Sequence, residues 1–126
     1  MRLLLDTVAL IVATESPEKL GKAAAAAIRN EENRLELSAI SVTEIAIKNA
    51  KGSLRLPPDT LKQALADLNA HILPYTEAHA YRFFELPFHH KDPFDRQIIA
   101  QALEEHVPII TSDDTLRRYR GLKLIW

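Results

Sequence analysis

Three consecutive leucines, Leu3-Leu4-Leu5, constrain this chain more than any other feature. Successive side chains of a strand point to opposite faces, so an all-apolar run leaves no face for water and reads as the centre of a parallel sheet. The run stops at Asp6-Thr7, and Val8 to Ala13 predicts a short helix. Leu35-Glu36-Leu37-Ser38-Ala39 alternates and predicts a half-exposed strand. Ile72-Leu73-Pro74-Tyr75 predicts an edge strand, because Pro74 has no N–H to give to a ladder. Pro108-Ile109-Ile110-Thr111 and Leu122 to Ile125 predict two more.

Helical stretches lie between them. Ser16 and Pro17 open a helix with Leu20, Ala23, Ala24, Ala27 and Ile28 on one stripe. Ser41 to Lys51 predicts another, closed by Gly52, and Pro57-Pro58-Asp59 introduces a third along Leu61, Ala64, Leu65 and Leu68. Thr76 to Glu85 reads as helical. Asp92-Pro93 opens a helix buried along Phe94, Ile98, Ile99, Ala102 and Leu103, and Asp114 to Arg118 makes a short last one. The order β-α-α-β-α-α-β-α-α-β-α-β predicts an α/β fold with parallel strands and helices on both faces. No repeat or linker divides residues 1–126, so they read as one domain, and 47% apolar residues suffice for its core.

Acidic residues fall where predicted strands run into predicted helices: Asp6, Glu44, Asp95 and Asp113, with Asp92 and Asp114 beside the last two. Each has an ordinary role available. Ser41-Val42-Thr43-Glu44 fits a capping box, Asp92 fits an N-cap, and Asp113 or Asp114 fits the next. A cap needs only an oxygen, however, and Ser, Thr or Asn would serve without accumulating charge. In an open α/β sheet these positions meet on the carboxyl edge, where ligands bind. Carboxylates 5 Å apart repel by about 3 kcal/mol per pair at an effective dielectric near 20. A hard divalent cation relieves that repulsion, so the pattern predicts a metal-dependent phosphodiesterase site.

Other features narrow the choice. A formal net charge of −1 gives no global positive field, so a nucleic acid would be held by local cations, of which Lys48 and Arg96 are the best placed to meet phosphate. Tyr119, among Arg117, Arg118 and Arg120, is a weaker candidate for base stacking. His89-His90 reads as a solvated loop, and His71, His79 and His106 lack partners at useful spacing. There is no cysteine, no phosphate-binding glycine loop and no nucleophile elbow. The opening apolar run is too short for a signal peptide and nothing approaches a membrane span, so a cytoplasmic protein is expected.

Leu3-Leu-Leu-Asp6-Thr7, Leu37 to Lys48, His90-Lys-Asp-Pro-Phe-Asp95-Arg-Gln-Ile-Ile-Ala-Gln-Ala and Ile109-Ile-Thr-Ser-Asp113 resemble, in order, the motifs of PIN-domain ribonucleases, closest to the VapC-like toxins of toxin–antitoxin pairs. The resemblance spans nearly the whole chain. It implies a three-layer α/β/α fold with a central parallel five-stranded sheet, a homodimer, and Mg²⁺- or Mn²⁺-dependent cleavage of RNA restrained by a cognate antitoxin. The family's acidic quartet falls on Asp6, Glu44, Asp95 and Asp113, with Asp92, Thr7 and Thr111 in support. Two positions depart from the pattern: Val8 replaces a frequent polar residue and Val12 a frequent Trp, and the first implies weakened activity or altered metal affinity. Val8 also counts against a dehalogenase-type phosphatase, which needs an acid there. A signalling receiver domain is disfavoured because the second strand ends in Ser38-Ala39 and Lys123 lies inside the last one. A catalytically weak PIN-like module that binds RNA or protein is the remaining alternative.

Overall fold

Leu3, Leu4 and Leu5 are fully buried because β1 (Arg2–Leu5) is the middle strand of the sheet. The computed structural model describes all 126 residues. After β1 come α1 (Thr7–Glu15), a 3₁₀ turn at Pro17–Lys19, α2 (Lys22–Arg29), β2 (Arg34–Ser38), α3 (Ala39–Ala50), α4 (Pro58–Asp67) and β3 (His71–Leu73). Then follow α5 (Glu77–Arg82), prolonged by a 3₁₀ turn at Phe83–Glu85, α6 (Pro93–Glu105), β4 (Ile109–Ile110), a 3₁₀ turn at Asp114–Arg118 and β5 (Leu124–Ile125). The five strands pair in parallel in the order β3-β2-β1-β4-β5, the expected three-layer α/β/α arrangement with Pro74 beyond an edge strand.

The period of two along β1 divides the core. Leu3 and Leu5 face Leu10 of α1, Ala24 of α2, Ile45 of α3 and Leu61 of α4. Leu4 faces the other way, with Ile98, Ile99 and Ala102 of α6. A leucine moved from water to such a place stabilises the fold by roughly 1.5–3 kcal/mol.

Three local expectations need correction. The helix expected from Ser16 is a single 3₁₀ turn that breaks at Leu20-Gly21 before α2 starts. Gly21 sits against the end of the chain: a Cβ there would stand 2.5 Å from the carbonyl carbon of Trp126 and 2.6 Å from its Cδ1. Gly21→Ala should therefore cost about 1–3 kcal/mol in urea denaturation through overpacking. An unchanged midpoint would show that Trp126 does not seat there.

Secondly, β2 is not half-exposed. Glu36 is only 4% accessible, since the register sets Leu4 beside it and Arg2 reaches it from β1, its Nε donating to Oε1 at 2.7 Å. Arg2 also donates to Glu105 Oε1 at 3.0 Å, and Glu105 Oε2 meets His79 Nε2 at 2.9 Å. His79 is thus fully buried with partners, not isolated: its Nδ1 accepts the Thr76 N–H at 2.9 Å and closes the cap of α5. Thirdly, α3 begins two residues before Ser41. Ser38 Oγ accepts the Ile40 N–H at 3.0 Å, so the capping box at Ser41 does not form, and Ser41 and Glu44 turn into the interior.

Candidate active site

Strand register brings the acids towards one edge. Leu5 pairs with Leu37 on one side and Ile110 on the other, so Asp6, Ser38 and Thr111 leave the sheet side by side. The chain moves outward from β1 through β2 to β3, then returns across β1 to β4. The gap between β1 and β4 is the topological switch point where such sheets bind ligands. A cavity of about 110 Å³ lies there, walled by Asp6, Val8, Asp95, Ser112 and Asp113 and floored by Ile98, Ile99, Ile109 and Leu116. That is room for an ion and a few waters at about 30 Å³ each.

Every acid in it is also a cap or close to one, so capping and convergence coexist. Asp6 Oδ1 accepts the Ala9 N–H at 2.6 Å at the start of α1. Asp92 Oδ1 accepts the Phe94 N–H at 2.8 Å and the Asp95 N–H at 3.3 Å, which starts α6 and fixes Asp95 in its first turn. Asp113 Oδ1 accepts the Thr115 N–H at 3.0 Å and its hydroxyl at 2.6 Å, while the Asp113 N–H donates to Thr111 Oγ1 at 3.0 Å.

Glu44 stands behind this group. Its Oε1 accepts from the Thr7 hydroxyl at 2.7 Å, and that hydroxyl lies 2.9 Å from Ser41 Oγ. Its Oε2 pairs with Lys48 Nζ at 2.9 Å, one turn along α3. Glu44 does not line the cavity, although its charge is felt by Asp6 and Asp95.

Electrostatics separates the carboxylates. Burial pushes Asp6 above the ordinary range against hydrogen bonds from Thr111 and Ala9, and the charges of Asp113 and Glu44 add to the rise. Asp95 is pushed up to about 6, first by burial, then by Asp92, Glu44 and Asp6, with His90 opposing. Burial also pushes Asp113 upward, but the hydrogen bonds from Thr115 and His90 outweigh it and hold the group below its usual value. The site therefore carries negative charge that its own cations leave partly uncompensated. The donors are the hard oxygens that Mg²⁺ and Mn²⁺ take. As the side chains stand, no three acidic or histidine groups are arranged around one point to hold an ion. The chemistry of the set fits a cation, and its arrangement would have to tighten around one.

The two expected phosphate contacts fare differently. Lys48 is partly exposed, and its ammonium is held by Glu44 within reach of the fields of Asp92 and Asp95. Arg96 is a correction. It is 7% accessible; its Nη1 donates to Pro87 O at 3.0 Å and to His90 O at 3.4 Å, and its guanidinium lies 4.9 Å from the Phe83 ring and 4.5 Å from that of Phe88. It braces the loop before α6 and faces no open space. Tyr119 is likewise buried and offers no base-stacking face.

His90, expected in solvent, is the residue that sequence reasoning missed. Its Nε2 lies 3.5 Å from Asp113 Oδ2 and 2.8 Å from Thr115 Oγ1, its Nδ1 lies 3.2 Å from the Tyr119 hydroxyl, and its ring stacks on that of Tyr119. The usable signal was Thr115, two residues after an acid at a strand end, which marks a hydroxyl aimed at that acid.

The sequence matches the PIN domain over residues 3–122. The chain belongs to the PIN-domain family. No curated protein matches it closely enough to count as a relative. Solved structures share the fold of this PIN domain at low identity. A VapBC2 assembly from Rickettsia felis bound to a promoter DNA fragment aligns with a TM-score of 0.69 at 16% identity, covering 98% of this chain and 97% of the other. DNA-bound VapBC from Salmonella typhimurium gives 0.68 at 17%, covering 98% and 96%. VapBC-5 from Mycobacterium tuberculosis, a member of a family of toxin–antitoxin systems, gives 0.60 at 19%, covering 98% and 97%.

Proposed function

We propose that this PIN domain is a divalent-cation-dependent endoribonuclease and the toxin of a toxin–antitoxin pair. The observation that carries the reading is the cavity at the switch point, where Asp6, Asp95 and Asp113 share a wall and burial and mutual repulsion raise the first two. Asp6, Asp95 and Asp113 would hold Mg²⁺ or Mn²⁺, with Glu44 joining directly or through water. A bound divalent ion supplies Lewis acidity to a phosphodiester and makes water a competent nucleophile near neutral pH.

The chain's own groups do the rest. Thr7 and Lys48 fix the Glu44 carboxylate in place behind the cavity. Lys48, the one expected phosphate contact left free of the core, can swing from Glu44 to a phosphate oxygen without leaving α3. The apolar floor of Ile98, Ile99, Ile109 and Leu116 excludes bulk water from one side and strengthens every charge interaction above it. Val8 is the observation that favours a binding module instead, since it places an apolar group in the cavity wall where a polar one would help orient Asp6.

Partners follow the same reading. An antitoxin would present an Arg to the carboxylates, a pairing that is short and often bidentate. A second copy of the chain would account for the exposed aromatic surface of Tyr81, Phe84 and Phe88. No helix is long and apolar enough to cross a membrane; an RNA substrate argues for a cytoplasmic protein. Single-stranded RNA incubated with the purified protein should be cut with Mg²⁺ or Mn²⁺ and left intact with EDTA. Intact RNA under both conditions, across substrates of different sequence, would favour the binding module.

A further inference from the structure

One histidine next to the acids has its hydrogen bonds settled by geometry. Thr115 has a single hydroxyl proton, and it goes to Asp113 Oδ1 at 2.6 Å, a short bond to an acceptor-only carboxylate oxygen. The Thr115 oxygen must then accept at its other contact, 2.8 Å from His90 Nε2, so that nitrogen carries the N–H. His90 Nδ1 is left as an acceptor, and the Tyr119 hydroxyl at 3.2 Å is the donor that meets it. Every proton in the series Tyr119, His90, Thr115 points towards Asp113. Tyr119 is 2% accessible and belongs to the core cluster that includes Leu4, Ile98 and Ile109, so the far end of the series is anchored in the core. Asp113 itself lies on a short turn after a two-residue strand and is the most exposed acid of the cavity wall, with 42% of its side chain accessible. Without that series the carboxylate would be held only by the Thr115 N–H on Oδ1 at 3.0 Å.

We propose that His90 is a positioning residue for the nuclease site, fixing the orientation of the Asp113 carboxylate mainly through Thr115 on Oδ1 and, more weakly, by its own Nε2 at 3.5 Å from Oδ2. This rests on the nuclease reading above. Partners of this kind, one step outside the groups that hold a metal, change metal affinity or activity by roughly 10–100-fold when removed.

The test uses Mn²⁺ binding to the whole protein, followed by calorimetry, alongside cleavage of single-stranded RNA. His90→Phe keeps a ring on Tyr119 and removes both nitrogens, and pairing it with Tyr119→Phe removes the hydroxyl that would be left unpartnered. Thr115→Val breaks the series while leaving His90 and Tyr119 in place. His90→Gln puts an amide N–H close to the Nε2 position. Both His90→Phe and Thr115→Val are expected to weaken Mn²⁺ binding and cleavage by roughly 10–100-fold. A double variant carrying His90→Phe and Thr115→Val is expected to be no worse than either alone, and His90→Gln to stay within about threefold of wild type, as one retained donor predicts. Long-range ¹H–¹⁵N spectra of the metal-free protein, above the titration range of an ordinary histidine, are expected to show His90 protonated on Nε2 and to lose that preference in Thr115→Val. Tight wild-type binding that His90→Phe leaves unmoved, additive losses, or a ring protonated on Nδ1 would overturn the assignment of His90. A wild-type protein that neither binds Mn²⁺ nor cuts RNA would overturn the nuclease reading itself.

Discussion

Asp6→Asn should leave the protein folded and lower cation-dependent RNA cleavage by at least about 100-fold, beyond what the loss of a merely supporting partner produces. The two roles of Asp6 separate in this variant. An Asn side-chain oxygen still accepts the Ala9 N–H, and Asn caps helices as well as Asp does. What disappears is a charge that burial and two neighbouring carboxylates already disfavour. Without metal the variant should therefore melt no lower than the wild type, and the melting shift that Mg²⁺ gives the wild type should shrink or vanish. Cleavage and thermal shift are read on the same preparation, so a folding defect cannot pass for a catalytic one. Wild-type cleavage by folded Asp6→Asn protein would reduce this acid to a helix cap.

Arg2→Ala should destabilise the fold by about 3 kcal/mol, at the lower end of what breaking a buried ion pair costs. Glu36 is almost without solvent and depends on the 2.7 Å bond from Arg2, because Arg34 stands off at 3.8 Å. Arg2 also ties in Glu105 and, through it, the buried His79, so its loss loosens α5 and α6 together. The lower end applies because the Arg2 side chain is itself partly exposed and water can enter in its place. Urea unfolding measures the effect. The pair Arg2→Ala with Glu36→Gln should recover much of the loss, since the penalty is an unpaired charge and not a missing contact. A loss below about 1 kcal/mol would mean that Arg34 or water replaces Arg2 fully, as surface pairs allow.

The frame of this fold was legible because it follows from short-range pattern. Three leucines with no wet face named the central strand, proline named the start of α4, Asp92 with Pro93 named that of α6, and the alternation of elements named parallel pairing. Asp6, Asp95 and Asp113 reached one cavity for the same reason: each follows a strand, or opens a helix, on the carboxyl edge. What failed depends on contacts between distant segments. Leu35-Glu36-Leu37 has the alternation of a half-wet strand, and only the register against β1 reveals that Arg2 makes Glu36 tolerable inside. Two serines compete to start α3, and the sequence does not say that Ser38 wins and sends Glu44 inward. Arg96 looked free beside Asp95 because Phe83, in the 3₁₀ turn after α5, and Phe88, in the loop that follows, enclose it along a path the sequence does not disclose. His90 was missed because its partners come from beyond β4.

Carboxylates far apart in sequence form one hollow that calls for a cation, and Asp95 reports that demand through its own titration. In the unfolded chain this group has its ordinary value of 3.8, and in the fold it is pushed up to about 6. Between those values the native state holds more protons than the unfolded one, so stability from this group is full below about pH 4 and falls as pH rises through about 6. Carbon-13 carboxyl shifts of Asp95, followed with and without Mg²⁺, read the group itself. A midpoint near 6 is expected in metal-free protein, and a marked fall when Mg²⁺ is added, because proton and cation compete for the same oxygens. An ordinary carboxylate midpoint that Mg²⁺ does not move would contradict such a hollow.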